Sequence, residues 1–274
     1  MNRLSKSILL ALFTAAWFAA AFIYVKSMNI IGHQYVPDVR QLVAVTDAGS
    51  LMEGERLARV YGCFDACHNE RMGGQVIYEH PLNGRLVAPN LTRAVREHTL
   101  PELEAVIRQG IAPDGTSIFL MPSASFAAMT DLDLAAILAY IRSHPEQLDR
   151  QPEPEYGLLT RFQMVTGELP AQATMGFQQP WRETFRANET RLGEYIATVA
   201  CTQCHGLDFE GDKDVPSLRV MNDYDRFEFV KLMREGAGPG DRPVASKPEL
   251  ARNRFNFLTE EEINALFLFL TTRS

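Results

Sequence analysis

Val199-Ala200-Cys201-Thr202-Gln203-Cys204-His205-Gly206 decides the reading of this 274-residue chain, because two thiols and an imidazole fall within five residues. Two cysteines separated by two residues, the second followed directly by histidine, form the attachment signature for a covalently bound haem. The thiols add to the two vinyl groups on one porphyrin edge, and the local turn then aims the histidine at the iron. Upstream, Gly62-Cys63-Phe64-Asp65-Ala66-Cys67-His68 has the same order with one extra residue between the thiols. A bulged loop lets that longer spacing reach both vinyls. These four cysteines are all the chain has.

Competing uses of the thiols fit less well. A structural zinc site draws on two close ligand pairs, whereas Cys67 and Cys201 lie 134 residues apart and each pair trails a single histidine. A redox Cys-x-x-Cys needs a βαβ context, and the flanking sequence has little strand alternation. Disulfides are the usual fate of cysteines in an exported chain; the histidine after each pair points to haem instead.

Working outward, the chain states one plan twice. The first unit runs from Gly54-Glu55-Arg56-Leu57 through Cys63 to a closing segment at Thr130–Ser143, and the second from Gly193-Glu194-Tyr195-Ile196 through Cys201 to a closing segment beginning at Thr259. Thr130 with Asp133 and Thr259 with Glu262 are helix N-cap signals. Leu134, Ile137, Leu138 and Ile141 then repeat at helical spacing, as do Ile263, Leu266, Phe267 and Leu270. A middle helix recurs before Arg108-Gln109-Gly110 and before Arg234-Glu235-Gly236, each glycine serving as a C-cap.

Both units resemble class I cytochrome c domains. The first carries the resemblance over Gly54–Ser143, through Ala88-Pro89-Asn90-Leu91-Thr92, Arg108-Gln109-Gly110-Ile111, Met121-Pro122 and the Leu134–Tyr140 helix; the second carries it from Leu192 onward. The resemblance implies an all-α fold, two tandem class I cytochrome c domains after one N-terminal transmembrane helix. It implies two covalently bound haem c groups, attached through Cys63 and Cys67 and through Cys201 and Cys204, with His68 and His205 as proximal ligands. Pro89 and Pro216 match the proline whose carbonyl orients that histidine. Met121 matches the distal methionine of the first unit, ahead of Met129 and Met72. In the second unit the same register puts Phe255 opposite Phe126 and Leu250 opposite Met121, and no methionine follows Met233. Leucine cannot bind iron, so the second sixth position is either open or filled by Met221, Lys247 or a histidine from elsewhere, with His33, His80, His98 and His144 unassigned.

The remaining segments give the division. Residues 1–26 read as a membrane anchor, since Ile8 to Val25 carries no charge and spans roughly 27 Å as a helix. Ala19-Ala20-Ala21 also suits a cleaved signal peptide, but the apolar run exceeds a usual signal core. Arg3 and Lys6 before the run predict a single pass through a bacterial inner membrane with both haem domains in the periplasm. Residues 27–49 form a juxtamembrane linker, 50–145 the first domain, 146–190 an extended proline-containing linker anchored by Phe162, Met164, Phe177 and Trp181, and 191–274 the second domain. The net charge of −7 argues against nucleic acid. The expected partners are redox proteins or a membrane complex, together with lipid at residues 8–25. No nucleophile or acid–base constellation appears outside the haem motifs. The expected role is thus electron relay between a membrane complex or dehydrogenase and a terminal acceptor, not catalysis; the alternative is a haem enzyme or sensor at the second unit, fed by the first.

Overall fold

The computed structural model describes residues 3–38, 41–64, 67–176, 189–242, 244 and 247–272. Helix α1 (Arg3–Ile31) leads, followed by an extended stretch that runs back along the first unit. Gln109 clamps that stretch, receiving the Asp38 amide and donating to the Asp38 carbonyl, each at 2.8 Å. Leu42 is drawn into the core.

The first unit comprises α2 (Ala48–Val60), α3 (Leu91–Glu97), α4 (Leu100–Glu104) with a wider-wound continuation at Ala105–Gln109, α5 (Ser123–Phe126) and α6 (Asp131–Ser143). Between the motif and α3 lies a hairpin, β1 (Gln75–His80) and β2 (Gly84–Ala88), onto which β3 (Glu155–Tyr156) adds an antiparallel edge. The all-α expectation is corrected by this small sheet. Its signal was an Asn83-Gly84 turn between runs rich in Val, Ile and Tyr. β1 is mostly solvent-exposed, so the sheet adds little to the core.

The expected extended linker is also corrected. It contains β3, α7 (Leu158–Thr166) and α8 (Gln172–Gly176). Met164 is buried as expected, Phe162 is exposed, and Phe177 and Trp181 lie outside the described residues. α7 packs on α1, and α8 on α5 of the first unit.

The second unit comprises α9 (Glu189–Ile196), a wide turn at Ala197–Cys201, α10 (Thr202–His205), a 3-10 turn at Leu218–Asp223, α11 (Arg226–Glu235), a short turn at Pro239–Asp241, α12 (Lys247–Asn253), a 3-10 turn at Phe255–Phe257 and α13 (Glu260–Thr272).

The repeat holds in three dimensions. α2 crosses α6 so closely at Gly54 that a Cβ there would stand 2.1 Å from the Ala136 carbonyl oxygen; α9 meets α13 at Gly193, where a Cβ would stand 2.0 Å from the Ala265 oxygen. Thr130 accepts the Asp133 amide, and Thr259 the Glu262 amide. Arg108 pairs with Asp131 and the Met129 carbonyl, while Arg234 pairs with Glu260 and the Asn256 carbonyl. The left-handed caps Gly110 and Gly236 close the middle helices, at φ of 70° and 72°. Buried residues of both units form one contiguous hydrophobic cluster.

Candidate functional site

The second motif sits on a winding change. The helix from Glu189 widens at Ala197–Cys201 and tightens again over Thr202–His205, which puts Cys201, Cys204 and His205 on successive short turns. Gly206 then leaves the helix at φ 75°, ψ 160°, a conformation suited to glycine. The His205 ring is buried, and its Nδ1 lies 2.8 Å from the Pro216 carbonyl oxygen. A carbonyl only accepts, so this hydrogen bond places the proton on Nδ1, the tautomer that a metal-ligating Nε2 requires.

The first motif reaches the same geometry by another route. His68 Nδ1 lies 2.9 Å from the Pro89 carbonyl oxygen. Burial lowers the proton affinity of His68, against the opposing effect of that carbonyl, and keeps it a neutral imidazole. Gly74 returns the chain to the histidine by donating to the His68 carbonyl at 3.1 Å, as Gly211 does to the His205 carbonyl at 2.8 Å. Both glycines have positive φ, and a Cβ on either would strike the backbone at Pro89 or Pro216. Burial pushes the Cys63 thiol up to about 11, so it stays protonated at neutral pH. Cys67 shifts the same way, also through burial. Asp65 and Ala66, the middle of the longer spacing, lie outside the described residues.

Of the sequence-predicted residues, Cys63, Cys201 and Met121 all border the shared core. Met121 is half-buried in the loop before α5, and its carbonyl accepts the Ser123 amide at 2.8 Å. Met129 and Met72 are buried core residues. In the second unit Leu250 borders the core and Met221 is buried in it. The Lys247 side chain lies outside the described residues. His33 and His80 are exposed; His98 and His144 cap the C-termini of α3 and α6.

Sequence reasoning missed the polar seam joining the two motifs. Gln203, inside the second motif, donates to the Tyr61 carbonyl, two residues before Cys63, at 3.2 Å. Arg254 reaches across from the second unit, donating Nε to the Val60 carbonyl at 3.1 Å and Nη2 to Gln203 Oε1 at 3.2 Å. Gly62, just before Cys63, has a φ of 80°, which favours glycine, and the Arg254 guanidinium lies 2.9 Å from where a Cβ there would stand. Thr202 donates its hydroxyl to the Thr198 carbonyl and accepts from the Ser125 hydroxyl at 2.7 Å. Tyr195 donates to Asp133 at 2.5 Å, accepts the Thr130 amide at 3.2 Å, and meets Tyr61 edge-on with centroids 6.4 Å apart. No spacing rule announces such contacts, since each is a single polar or aromatic residue with no periodic partner.

The donor set fits haem c: thiols in pairs, each followed by an imidazole whose Nδ1 is held by a carbonyl, and apolar residues around both motifs. Among the described residues no cluster of three or more His, Cys, Asp or Glu side chains suits a bare metal ion.

Residues 191–274 match the family model for cytochrome c. The match covers the unit whose distal loop carries no methionine. The chain is 27% identical over 171 residues to the cytochrome c subunit of a quinone alcohol dehydrogenase from Gluconacetobacter polyoxogenes, a stretch covering 58% of this chain and 36% of that protein. It is 22% identical over 218 residues to the corresponding subunit from Gluconobacter oxydans, covering 75% of this chain and 43% of that protein. It is 21% identical over 267 residues to the cytochrome subunit of a fructose dehydrogenase from Gluconobacter japonicus, covering 81% and 52%. The chain thus spans about a third to a half of the length of these relatives. Matched to the family over its C-terminal unit, with the paired thiols and the carbonyl-held imidazole in place there, the chain carries a cytochrome c domain at residues 191–274 and is homologous to cytochrome subunits of quinone alcohol dehydrogenases and of a fructose dehydrogenase.

Proposed function

We propose that this chain is a membrane-tethered, two-haem electron-transfer cytochrome serving a periplasmic dehydrogenase, with one class I domain at residues 50–145 and another at 191–274. The observation that carries it is the duplicated imidazole setting, His68 on Pro89 at 2.9 Å and His205 on Pro216 at 2.8 Å, each beside a cysteine pair. The relatives' names supply the dehydrogenase context. Haem c, when bound, supplies a one-electron iron couple with no proton or group transfer. The chain's own residues do the rest. Cys63 with Cys67 and Cys201 with Cys204 fix the group; His68 and His205 hold a proton on Nδ1 and offer Nε2; Met121 offers its thioether to the first site. Tyr61, Tyr195, Gln203 and Arg254 hold the two motifs in one orientation.

Helix α1 is long and apolar enough to cross a membrane. Arg3 and Lys6 ahead of its uncharged stretch favour export of everything beyond it. Tethering confines the cytochrome to the surface where a membrane donor works, raising its effective concentration there.

Mass spectrometry of the purified chain tests the proposal. Two added haem masses are expected, falling to one in the Cys63→Ala, Cys67→Ala double variant. A wild-type chain with one haem or none overturns the two-haem reading. A second reading, ligand binding or catalysis at the second unit, is favoured by Leu250 falling opposite Met121 in the sequence register; carbon monoxide binding by the reduced protein tests it.

A further inference from the structure

Helix α7 turns an apolar face outward. Leu158, Leu159 and Phe162 are 48%, 43% and 42% exposed, and Leu82, whose carbonyl accepts the Leu159 amide, is 58% exposed beside them. Thr160 and Met164, on the other side of the helix, are buried. A short helix with leucine and phenylalanine on its open side is an interaction surface.

The position of α7 says what it meets. Arg161 ties it to the anchor: the guanidinium lies 4.5 Å from the Tyr24 ring centroid, and Nη1 donates to Ser27 at 2.9 Å. Met164 packs with Ile30 and Ile31 at the end of α1. Helix α1 has 29 residues, roughly 43 Å, against about 30 Å of hydrocarbon. Its uncharged stretch ends at Val25, with Lys26 next. Tyr24 therefore stands at the edge of the bilayer, at the headgroup level that tyrosine favours. Arg161 and Met164 hold α7 against that edge.

We propose that the exposed face of α7, with Leu82, is seated in the outer boundary of the lipid bilayer, so that the first unit lies on the membrane instead of swinging above it. This rests on reading α1 as a membrane anchor. The patch is continuous with the spanning helix, and interfacial helices bury such faces at the junction of headgroups and acyl chains.

Nitroxide labels read the depth directly. The full-length haem protein, its own cysteines occupied by haem, is reconstituted into phosphatidylcholine–phosphatidylglycerol vesicles. Single cysteines are introduced as Leu159→Cys, Phe162→Cys, Trp17→Cys within the anchor, and Lys213→Cys on the exposed far unit. All four side chains are exposed, so the substitutions leave the core intact. Collision with oxygen, which concentrates in lipid, is compared with collision with a water-soluble nickel chelate. Labels at 159 and 162 are expected to favour oxygen, as at 17, with the preference reversed at 213. If 17 reads lipid while 159 and 162 read water, the seating is overturned and the anchor stands. Shielding of 159 and 162 from both reagents shows a protein covering the face and overturns it equally. If 17 itself reads water, the anchor reading fails and takes the seating with it.

Discussion

Arg56 on α2 and Glu262 on α13 meet through two hydrogen bonds, 2.7 and 2.8 Å, across 206 residues of chain. Arg56 also takes both oxygens of Glu53 and donates to the Phe257 carbonyl, while Glu262 accepts the Thr259 amide at the start of α13. The glutamate side chain is 7% exposed and the arginine 20%. One guanidinium thus joins the first helix of one unit to the last helix of the other.

Removing Arg56 should therefore loosen the joint between the units. Arg56→Met leaves a nearly buried carboxylate without its cation and costs about 2 kcal/mol. Guanidinium unfolding of the haem-loaded protein measures this as a lower midpoint with an unchanged slope. In a cycle with Glu262→Leu, the double variant should lose less than the two single losses added. Simple additivity would show that the pair contributes nothing.

High pH should destabilise the fold through Tyr61 and Tyr195. Burial, followed by the Tyr195 phenol for Tyr61 and the Asp133 carboxylate for Tyr195, raises both phenols above the ordinary 10.0. The folded state therefore keeps protons that the unfolded chain releases near pH 10. Stability is unaffected below that pH and is lost as pH rises beyond it, by about 1.4 kcal/mol per unit for each tyrosine. Unfolding free energy followed from pH 9 upward should show this slope, and Tyr61→Phe should reduce it. A flat profile would mean that the phenols ionise in place.

The crossings at Gly54 and Gly193 make a matched pair. Alanine at either must push a backbone carbonyl that stands near 2 Å from the new Cβ, so the helices must separate. Each substitution should cost about 3 kcal/mol, at the upper end of overpacking. Thermal unfolding of the two variants should show similar losses if the units are equivalent. Tolerance of Gly54→Ala alone would mark the first unit as packed differently.

Much of this was written in the chain. The caps Thr130 and Thr259, the glycines ending the middle helices and the periodic apolar residues of α6 and α13 are local signals, and each formed where its spacing placed it. The hairpin at 75–88 was also local, yet its turn was overshadowed by the helical plan around it. Helix α7 was hidden for a physical reason: with Leu158, Leu159 and Phe162 outward and Met164 inward, it has apolar residues on two faces and no single stripe. The seam of Arg254, Gln203 and Tyr61 was not legible, because its residues meet only after both units have folded.

On the proposed ligand set the distal positions carry the sharpest difference between the units: Met121 would offer a thioether to the first site, whereas Leu250, which falls opposite it in the sequence register, has no donor atom, and no methionine follows Met233. Thioether ligation raises the potential of a His-ligated haem. Redox titration should resolve two waves, and Met121→Ala should move only the higher one, downward. The reduced wild-type protein should bind carbon monoxide at one haem per chain, rising to two in Met121→Ala, because a small ligand enters wherever the sixth position is open. Lys247 is the competing donor for the second site; if it binds, the wild-type protein stays inert to carbon monoxide and Lys247→Ala restores one site. A wild-type chain that binds two equivalents would show that Met121 is not a ligand, and both units would then share an open site.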